Sequence, residues 1–188
     1  MAPSVGVLAI QGGFEAHGHA LERLGVEPVE VRRADQLAEL DALIIPGGES
    51  TTIEMGLAAG QFEQAIRDFA AEGKPVLGTC AGLIVLGEGR LELIDIEARR
   101  NAYGRQVRSF EAPVLVEGLG DQPLAAVFIR APRIERWGDD VEVLAELDGT
   151  PVVARERNVL VTSFHPELTD DSRLHAMFVE MIGVGVAP

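Results

Sequence analysis

The single cysteine of this 188-residue chain, Cys80, lies in a turn that suits a nucleophile. An apolar run beginning near Lys74 leads into the turn Gly-Thr-Cys-Ala-Gly at 78–82, and an apolar helical pattern follows it. This order of strand, sharp turn and helix is typical of a nucleophile elbow, where small neighbours permit a strained backbone and close packing. The N-terminus of the following helix favours the thiolate. Alternatively, Cys80 is a small buried apolar residue, as free cysteines often are.

His165 and Glu167 are the candidates for activating that thiol. A thiolate nucleophile needs a general base and a group that orients the base. Pro166 favours an extended backbone before it, and in an extended segment residues i and i+2 lie on the same side. The spacing therefore predicts that Glu167 orients His165. A lone His-Pro-Glu is also compatible with a surface histidine beside a capping glutamate.

Acyl transfer on such a thiol also needs donors for an oxyanion, and two backbone N–H groups are suitable. One belongs to Ala81, directly after the nucleophile. The other belongs to Gly48, because the paired glycines of the loop 46–50 can turn N–H groups into a cleft. Taken by itself, that loop is more typical of a plain tight turn before a capped helix.

Motifs for cofactors, nucleotides and metals are missing from the sequence. It contains neither Gly-x-x-x-x-Gly-Lys-Ser/Thr nor Gly-x-Gly-x-x-Gly, so a nucleotide role has no support. His17 and His19 are two residues apart on a predicted helix and face different directions, and no other group has metal-ligand spacing. We expect a site that binds no metal and no cofactor.

The first half of the chain alternates between buried strands and helices. Apolar runs at 4–10, 26–31 and 41–46 are typical of buried strands, and a helical pattern covers 14–24. This alternation predicts a mostly parallel sheet with helices on both faces, whose sites lie at the carboxyl ends of the strands. The glycine-marked turns at 11–13, 47–48 and 78–82 all follow such strands, so we expect them to converge on one cleft.

The second half is richer in short β-like runs. Helices are predicted at 50–59, 61–72 and 172–182. The predicted strands that decorate the sheet as hairpins are 91–96, 112–116, 125–129, 141–147, 151–154 and 159–162. No repeat or linker divides the chain, and we expect a single domain over 1–188.

Composition narrows the classes of partner. The chain has 16 basic and 30 acidic residues, a net charge of −14 and a pI of about 4.6, which argues against nucleic acid as a partner. No apolar run approaches the roughly 20 residues of a membrane helix, so no membrane partner is expected. One cysteine cannot form an internal disulfide, and no secretory signal pattern is seen at the start; we expect a cytoplasmic protein.

Blocks spread over nearly the whole chain resemble the class I (triad) glutamine amidotransferases, and more narrowly the glutaminase subunits of pyridoxal 5′-phosphate synthases. The blocks of the broad match are PGGESTT at 46–52, GTCAGLI at 78–84 and SFHPELT at 163–169. Those of the narrower match are LAIQG at 8–12, RNAYGRQV at 100–107, SFE at 109–111 and FIRAP at 128–132. The resemblance implies a flavodoxin-like three-layer α/β sandwich with added hairpins.

The resemblance also implies roles for individual residues. Cys80 would be the nucleophile, His165 the general base and then acid, and Glu167 the orienting carboxylate, with the N–H groups of Gly48 and Ala81 as the oxyanion hole. The residues implied to bind L-glutamine are Gly48, Glu49, Ser50, Arg105, Ile129 and Arg130. The residues implied to face a partner are Gln11, Gly12, Glu15 and His17.

The implied activity is hydrolysis of L-glutamine, with the ammonia delivered to a synthase subunit in a heteromeric complex. The chain departs from the family pattern at Gly13, at Ala102-Tyr103 and in a shortened segment at 87–91. Two alternatives stay open. One is the glutaminase of another synthase, such as that for imidazole glycerol phosphate, and the other is a non-catalytic thiol-sensing module on the same fold.

Overall fold

A computed structural model describes residues 3–100 and 109–183. Its strands are β1 Val5–Leu8, β2 Pro28–Val31, β3 Ala42–Ile45, β4 Val76–Thr79, β5 Ile96–Arg99, β6 Ser109–Val114, β7 Leu124–Ile129, β8 Arg133–Trp137, β9 Glu142–Leu147, β10 Thr150–Glu156 and β11 Val159–Thr162. Its α-helices are α1 Phe14–Arg23, α2 Ser50–Ala59, α3 Phe62–Ala71, α4 Ala81–Leu86 and α5 Arg173–Glu180. Two 3₁₀ turns cover Ala34–Glu39 and Pro166–Leu168.

A seven-stranded sheet lies at the centre, in the order β2-β1-β3-β4-β11-β10-β9. The first five strands are mutually parallel, which confirms the mostly parallel sheet predicted from the βαβ alternation. Strands β1, β3, β4 and β11 are buried along their whole length, because helices cover both of their faces.

Apolar side chains of this sheet fill two cores, one on each face. On β3, Leu43 and Ile45 pack with α2, α3 and α4, whereas Ala42 and Ile44 pack on the opposite side with α1 and α5. The period of two along a strand produces this division. The result is the three-layer sandwich implied by the resemblance. No helix in the described segments combines the length and apolarity needed to cross a bilayer.

Three of the strands predicted to decorate the sheet as hairpins belong to the central sheet itself. Strands β9, β10 and β11 do not decorate the sheet but extend it, with β10 antiparallel to both of its neighbours. Only two small two-stranded sheets, β5 with β8 and β6 with β7, stand apart among the described strands. The turn signal at Asp148-Gly149 does connect a hairpin, β9 to β10.

The strand predicted at 91–96 is wrong, since only Ile96 belongs to a strand. The N–H groups of Leu91 and Leu93 donate to Val85 and Leu86, the last carbonyls of α4, so this segment caps a helix. The apolar residues of this segment before Ile96 pack on α4 and do not pair with a neighbouring strand. Strand β8 was missed because its exposed side chains outnumber its buried ones.

The carboxyl ends of the buried strands meet at one edge of the sheet. Ile45 pairs with Gly78, and Thr79 pairs with Thr162, so β3, β4 and β11 end at the same level. The predicted convergence of the glycine-marked turns is therefore confirmed, and the segment after β11 joins them.

Replacing two helical glycines by alanine is predicted to change the stability of the chain in opposite directions, because only one of them lies in a closely packed place. A Cβ at Gly82 would collide with the backbone oxygen of Ile45, whereas one at Gly18 would meet only Pro28, at 3.5 Å. We expect Gly82→Ala to lower the free energy of unfolding by about 1–3 kcal/mol. We expect Gly18→Ala to raise it by about 0.5–1 kcal/mol, as for an unhindered helical glycine.

Urea denaturation of the two variants beside the parent chain measures both effects. Equal stability of Gly82→Ala and the parent would contradict the close approach of α4 to β3.

Candidate active site

Cys80 occupies the strained turn that its neighbours predict. It lies between β4 and α4 with φ 49° and ψ −103°, a conformation that L-residues rarely adopt. Its N–H donates to the carbonyl of Thr162 on β11 at 2.8 Å. A Cβ at Gly78 would lie 2.8 Å from the backbone of Gly82, so both framing glycines are required by packing. The backbone geometry is that of a nucleophile elbow.

His165 and Glu167 lie side by side, as the Pro166 spacing predicts. The Nδ1 atom of His165 is 2.7 Å from Oε1 of Glu167. Burial by itself lowers the pKa of His165. This effect is outweighed by the hydrogen bonds to Cys80 and Glu167 and by the negative charges of these two residues, and the pKa of His165 is raised to about 10. Nδ1 faces the carboxylate, which leaves Nε2 for the sulfur. The three side chains predicted as a triad are thus brought together.

The loop after β3 lies directly against this group. A Cβ at Gly47 would strike the His165 ring, and it would lie 3.1 Å from Cβ of Cys80. Within the described residues, no acceptor takes the N–H of Gly48 or of Ala81, whereas the neighbouring N–H groups of Gly47 and Glu49 are engaged. In this part of the structure both residues line the same cavity as Cys80, and an oxyanion hole requires two such donors.

A cavity of about 600 Å³ opens at this edge, large enough for an amino acid. Among the residues that line it are Cys80, His165, Glu167, Gly48, Ala81, Glu49, Ser50, Ile129 and Arg130. Arg105 lies outside the described residues. Arg100 also lines the cavity and was not predicted as a site residue, although it opens a block used for the resemblance. Its guanidinium pairs with Glu54 at 3.0 Å.

Glu49 and Ile129 offer polar atoms within this lining. Oε2 of Glu49 accepts from the N–H and the hydroxyl of Thr52 and so caps α2. The hydrogen bond from the Thr52 backbone is the main cause of the lowered pKa of Glu49. The Glu49 carboxylate therefore keeps its negative charge at the opening of the cavity. The carbonyl of Ile129 lies 3.7 Å from the sulfur of Cys80.

The segment implied to face a partner touches the loop after β3. Oε1 of Gln11 accepts from the N–H of Glu49 at 2.8 Å, and the N–H of Gly13 donates to the carbonyl of Gly47 at 3.1 Å. Gly12 and Glu15 are exposed. His17 is not, and the expectation that its side chain faces a partner is wrong, because it points inward from α1 and is 0 % exposed.

Sequence reasoning missed the inner neighbours of the triad. His17 lies 3.4 Å from Oε2 of Glu167 and hydrogen-bonds Thr79 and His175. One available signal is that His17, Ala20 and Leu21 form a single inward stripe on α1. In the described ranges, these residues included, no three His, Cys, Asp or Glu side chains are grouped so that they could hold a metal ion.

Comparison with known proteins identifies the class. The sequence profile of the SNO glutamine amidotransferase family matches residues 7–184, and the chain belongs to this family.

Individual relatives are more specific. The chain is 54% identical to "Pyridoxal 5′-phosphate synthase subunit PdxT" of Niallia circulans, over 95% of this chain and 97% of the relative. It is also 54% identical to the protein of that name from Dehalococcoides mccartyi, over 94% and 96%.

Solved structures support the same assignment. A crystal structure described as a glutamine amidotransferase has a TM-score of 0.91 and 49% identity, covering 95% of this chain and 98% of its own. A structure of PurLQS from Thermotoga maritima has a TM-score of 0.73, 20% identity, and coverage of 96% and 99%. At that identity it shows the fold alone.

The contact between imidazole and sulfur predicts a reactive thiol that depends on His165. At neutral pH we expect iodoacetamide to alkylate Cys80 about tenfold faster in the parent than in His165→Ala, because the imidazolium stabilises the thiolate. Cys80 is the one cysteine in the sequence, so the mass of the intact protein reports the reaction directly. His19→Ala, on the exposed side of α1, is the control and should react like the parent. Equal rates for His165→Ala and the parent would contradict the pairing.

Proposed function

We propose that this chain is the glutaminase subunit of a pyridoxal 5′-phosphate synthase, hydrolysing L-glutamine to L-glutamate and ammonia. The observation that carries the proposal is a strained cysteine beside a histidine–glutamate pair, opening on a cavity lined by two residues whose N–H groups have no acceptor among the described residues. Membership of the amidotransferase family supports the substrate. Relatives about half identical over nearly the whole chain, named as PdxT, support the pathway over the imidazole glycerol phosphate alternative.

In the first half of the reaction the thiolate of Cys80 attacks the side-chain amide carbon of glutamine. A C–S bond forms, and the carbonyl electron pair moves to oxygen, where the N–H groups of Gly48 and Ala81 stabilise the charge. Nε2–H of His165 protonates the leaving nitrogen as the C–N bond breaks. Ammonia and a γ-glutamyl thioester on Cys80 result.

In the second half His165 acts as a base. Nε2 takes a proton from water as its oxygen attacks the thioester carbon, and the same donors stabilise the second oxyanion. The C–S bond breaks, and glutamate leaves while the thiolate returns. Glu167 keeps Nδ1–H of the imidazole directed at its own oxygen through both steps, so Nε2 always faces the reacting atoms.

Charges around the cavity fit the other end of the substrate. Arg100 and Arg130 lie in the lining and suit the α-carboxylate, and we propose the same role for Arg105. The ionised Glu49 suits the α-ammonium group. We propose that Gly48, Ser50 and Ile129 complete the contacts with the substrate.

We further propose that the chain acts as one domain, in the cytoplasm, docked on a synthase subunit through Gln11, Gly12 and Glu15. Gln11 and Gly13 hydrogen-bond the residues on either side of Gly48, so a partner that binds this segment also contacts the loop that carries an oxyanion donor. Activity in the free chain is expected to be lower than in the complex.

Glutamate release from glutamine, measured with and without the synthase subunit of the same organism, tests the function. We expect Cys80→Ala to lower kcat of the complex by at least about a thousandfold, because no other group can form the thioester. Full activity of Cys80→Ala in the complex would refute the mechanism. An inactive parent whose thiol is still oxidised reversibly would favour the thiol-sensing alternative.

A further inference from the structure

Glu167 has a second oxygen that the triad does not use. Oε1 accepts from His165, but Oε2 has no hydrogen-bond partner within the described residues, although the side chain is 1 % exposed. An unpartnered oxygen on a buried carboxylate is costly, which calls for a nearby donor. Nε2 of His17 lies 3.4 Å from this oxygen.

His17 belongs to a buried chain of polar groups between three elements. From α1, its Nε2 is 3.1 Å from Oγ1 of Thr79 on β4, and its Nδ1 is 2.9 Å from Nε2 of His175 on α5. Both histidines are 0 % exposed. Oγ1 of Thr79 also accepts the N–H of Gly47, so the chain reaches the loop that packs on His165.

The proton positions follow from the unpaired atoms. If Nδ1–H of His17 donated to His175, the remaining proton of His175 would sit on Nδ1, which has no partner, and a lone pair of His17 would face the carboxylate. The opposite arrangement leaves only a lone pair of His175 Nδ1 without a partner, and it turns an N–H of His17 toward the carboxylate. Nε2–H of His175 then donates to Nδ1 of His17, and Nε2–H of His17 points at Thr79 and Glu167.

We propose that His17 is a positioning residue of the glutaminase site, with Nε2–H, fixed by His175, holding Oε2 of Glu167 so that Oε1 stays on His165. This inference rests on the proposed function. His17 touches neither the sulfur nor the substrate cavity and acts through Glu167. The chain of contacts makes the orientation of the triad carboxylate depend on α1 and α5 as well as on its own turn.

Burial keeps the two histidines of this arrangement neutral. Burial lowers the pKa of His17. The negative charge of Glu167 opposes this effect, and the positive charge of His165 adds to it. Burial likewise lowers the pKa of His175 to about 3, helped by His17 and Arg23. Burial raises the pKa of Glu167, but His17 and His165 together bring it below its usual value. Removing His17 should therefore let Glu167 take up a proton at higher pH.

The test compares variants at position 17 in the complex with the synthase subunit. We expect His17→Leu to lower kcat for glutamine hydrolysis about tenfold with KM nearly unchanged, because the carboxylate loses the N–H that faces Oε2 but the cavity is intact. The acidic limb of the kcat profile should move up by about one pH unit, since the deprotonated form of Glu167 is required.

Two further variants, in which an amide side chain replaces His17, keep the test decisive if His17→Leu folds poorly. The amide nitrogen of His17→Gln reaches the position of Nε2 and should restore both kcat and the acidic limb, whereas that of His17→Asn reaches only Nδ1 and should not. His19→Leu on the exposed side of α1 is the control, and melting temperatures monitor folding. A folded His17→Leu or His17→Asn with the parent's kcat and pH profile would overturn the proposal, as would equal defects in Gln and Asn. Loss of glutaminase activity in the parent complex would instead refute the proposed function.

Discussion

The parallel pairing of β11 with β4 is the constraint on which the site depends. Thr162 lies beside Thr79 in the register, and its carbonyl accepts the N–H of Cys80. Cys80 and His165, far apart in sequence, therefore emerge from adjacent strands at the same level. A one-residue slip would reverse every side chain of β11 and separate the base from the sulfur. The geometry of the reaction is thus a property of sheet register.

Burial of charge is the second theme of the site. Glu167 is removed from water, which raises its pKa, but the imidazole groups that approach both of its oxygens bring the pKa below its usual value. His165 lines the cavity and keeps its second nitrogen for the sulfur of Cys80, whereas His17 is not part of the cavity lining. A carboxylate held from two sides can orient a histidine more firmly than one held at a single oxygen.

Sequence reasoning reached the sheet and the triad because both leave local signals. Apolar runs, glycine turns and the His-Pro-Glu spacing describe contacts within a few residues, and the structure brings their predicted partners together. Sequence reasoning failed where the conformation of a segment or the burial of a side chain depends on packing between elements that are distant in sequence. The segment after α4 looked like a strand because its apolar residues pack on the helix, and His17 looked like a surface residue because its partner His175 is 158 positions away.

The position of β11 between β4 and β10 has a consequence for synthesis of the chain. Val76–Thr79 is buried on both faces, yet one of its edges stays unpaired until residues 159–162 have left the ribosome. A nascent chain therefore carries an open apolar strand edge, which is prone to pair with other chains. It carries no imidazole beside Cys80 either. The imidazole of His165 reaches Cys80 only when the sheet is closed, so incomplete chains lack this contact and are exposed to aggregation.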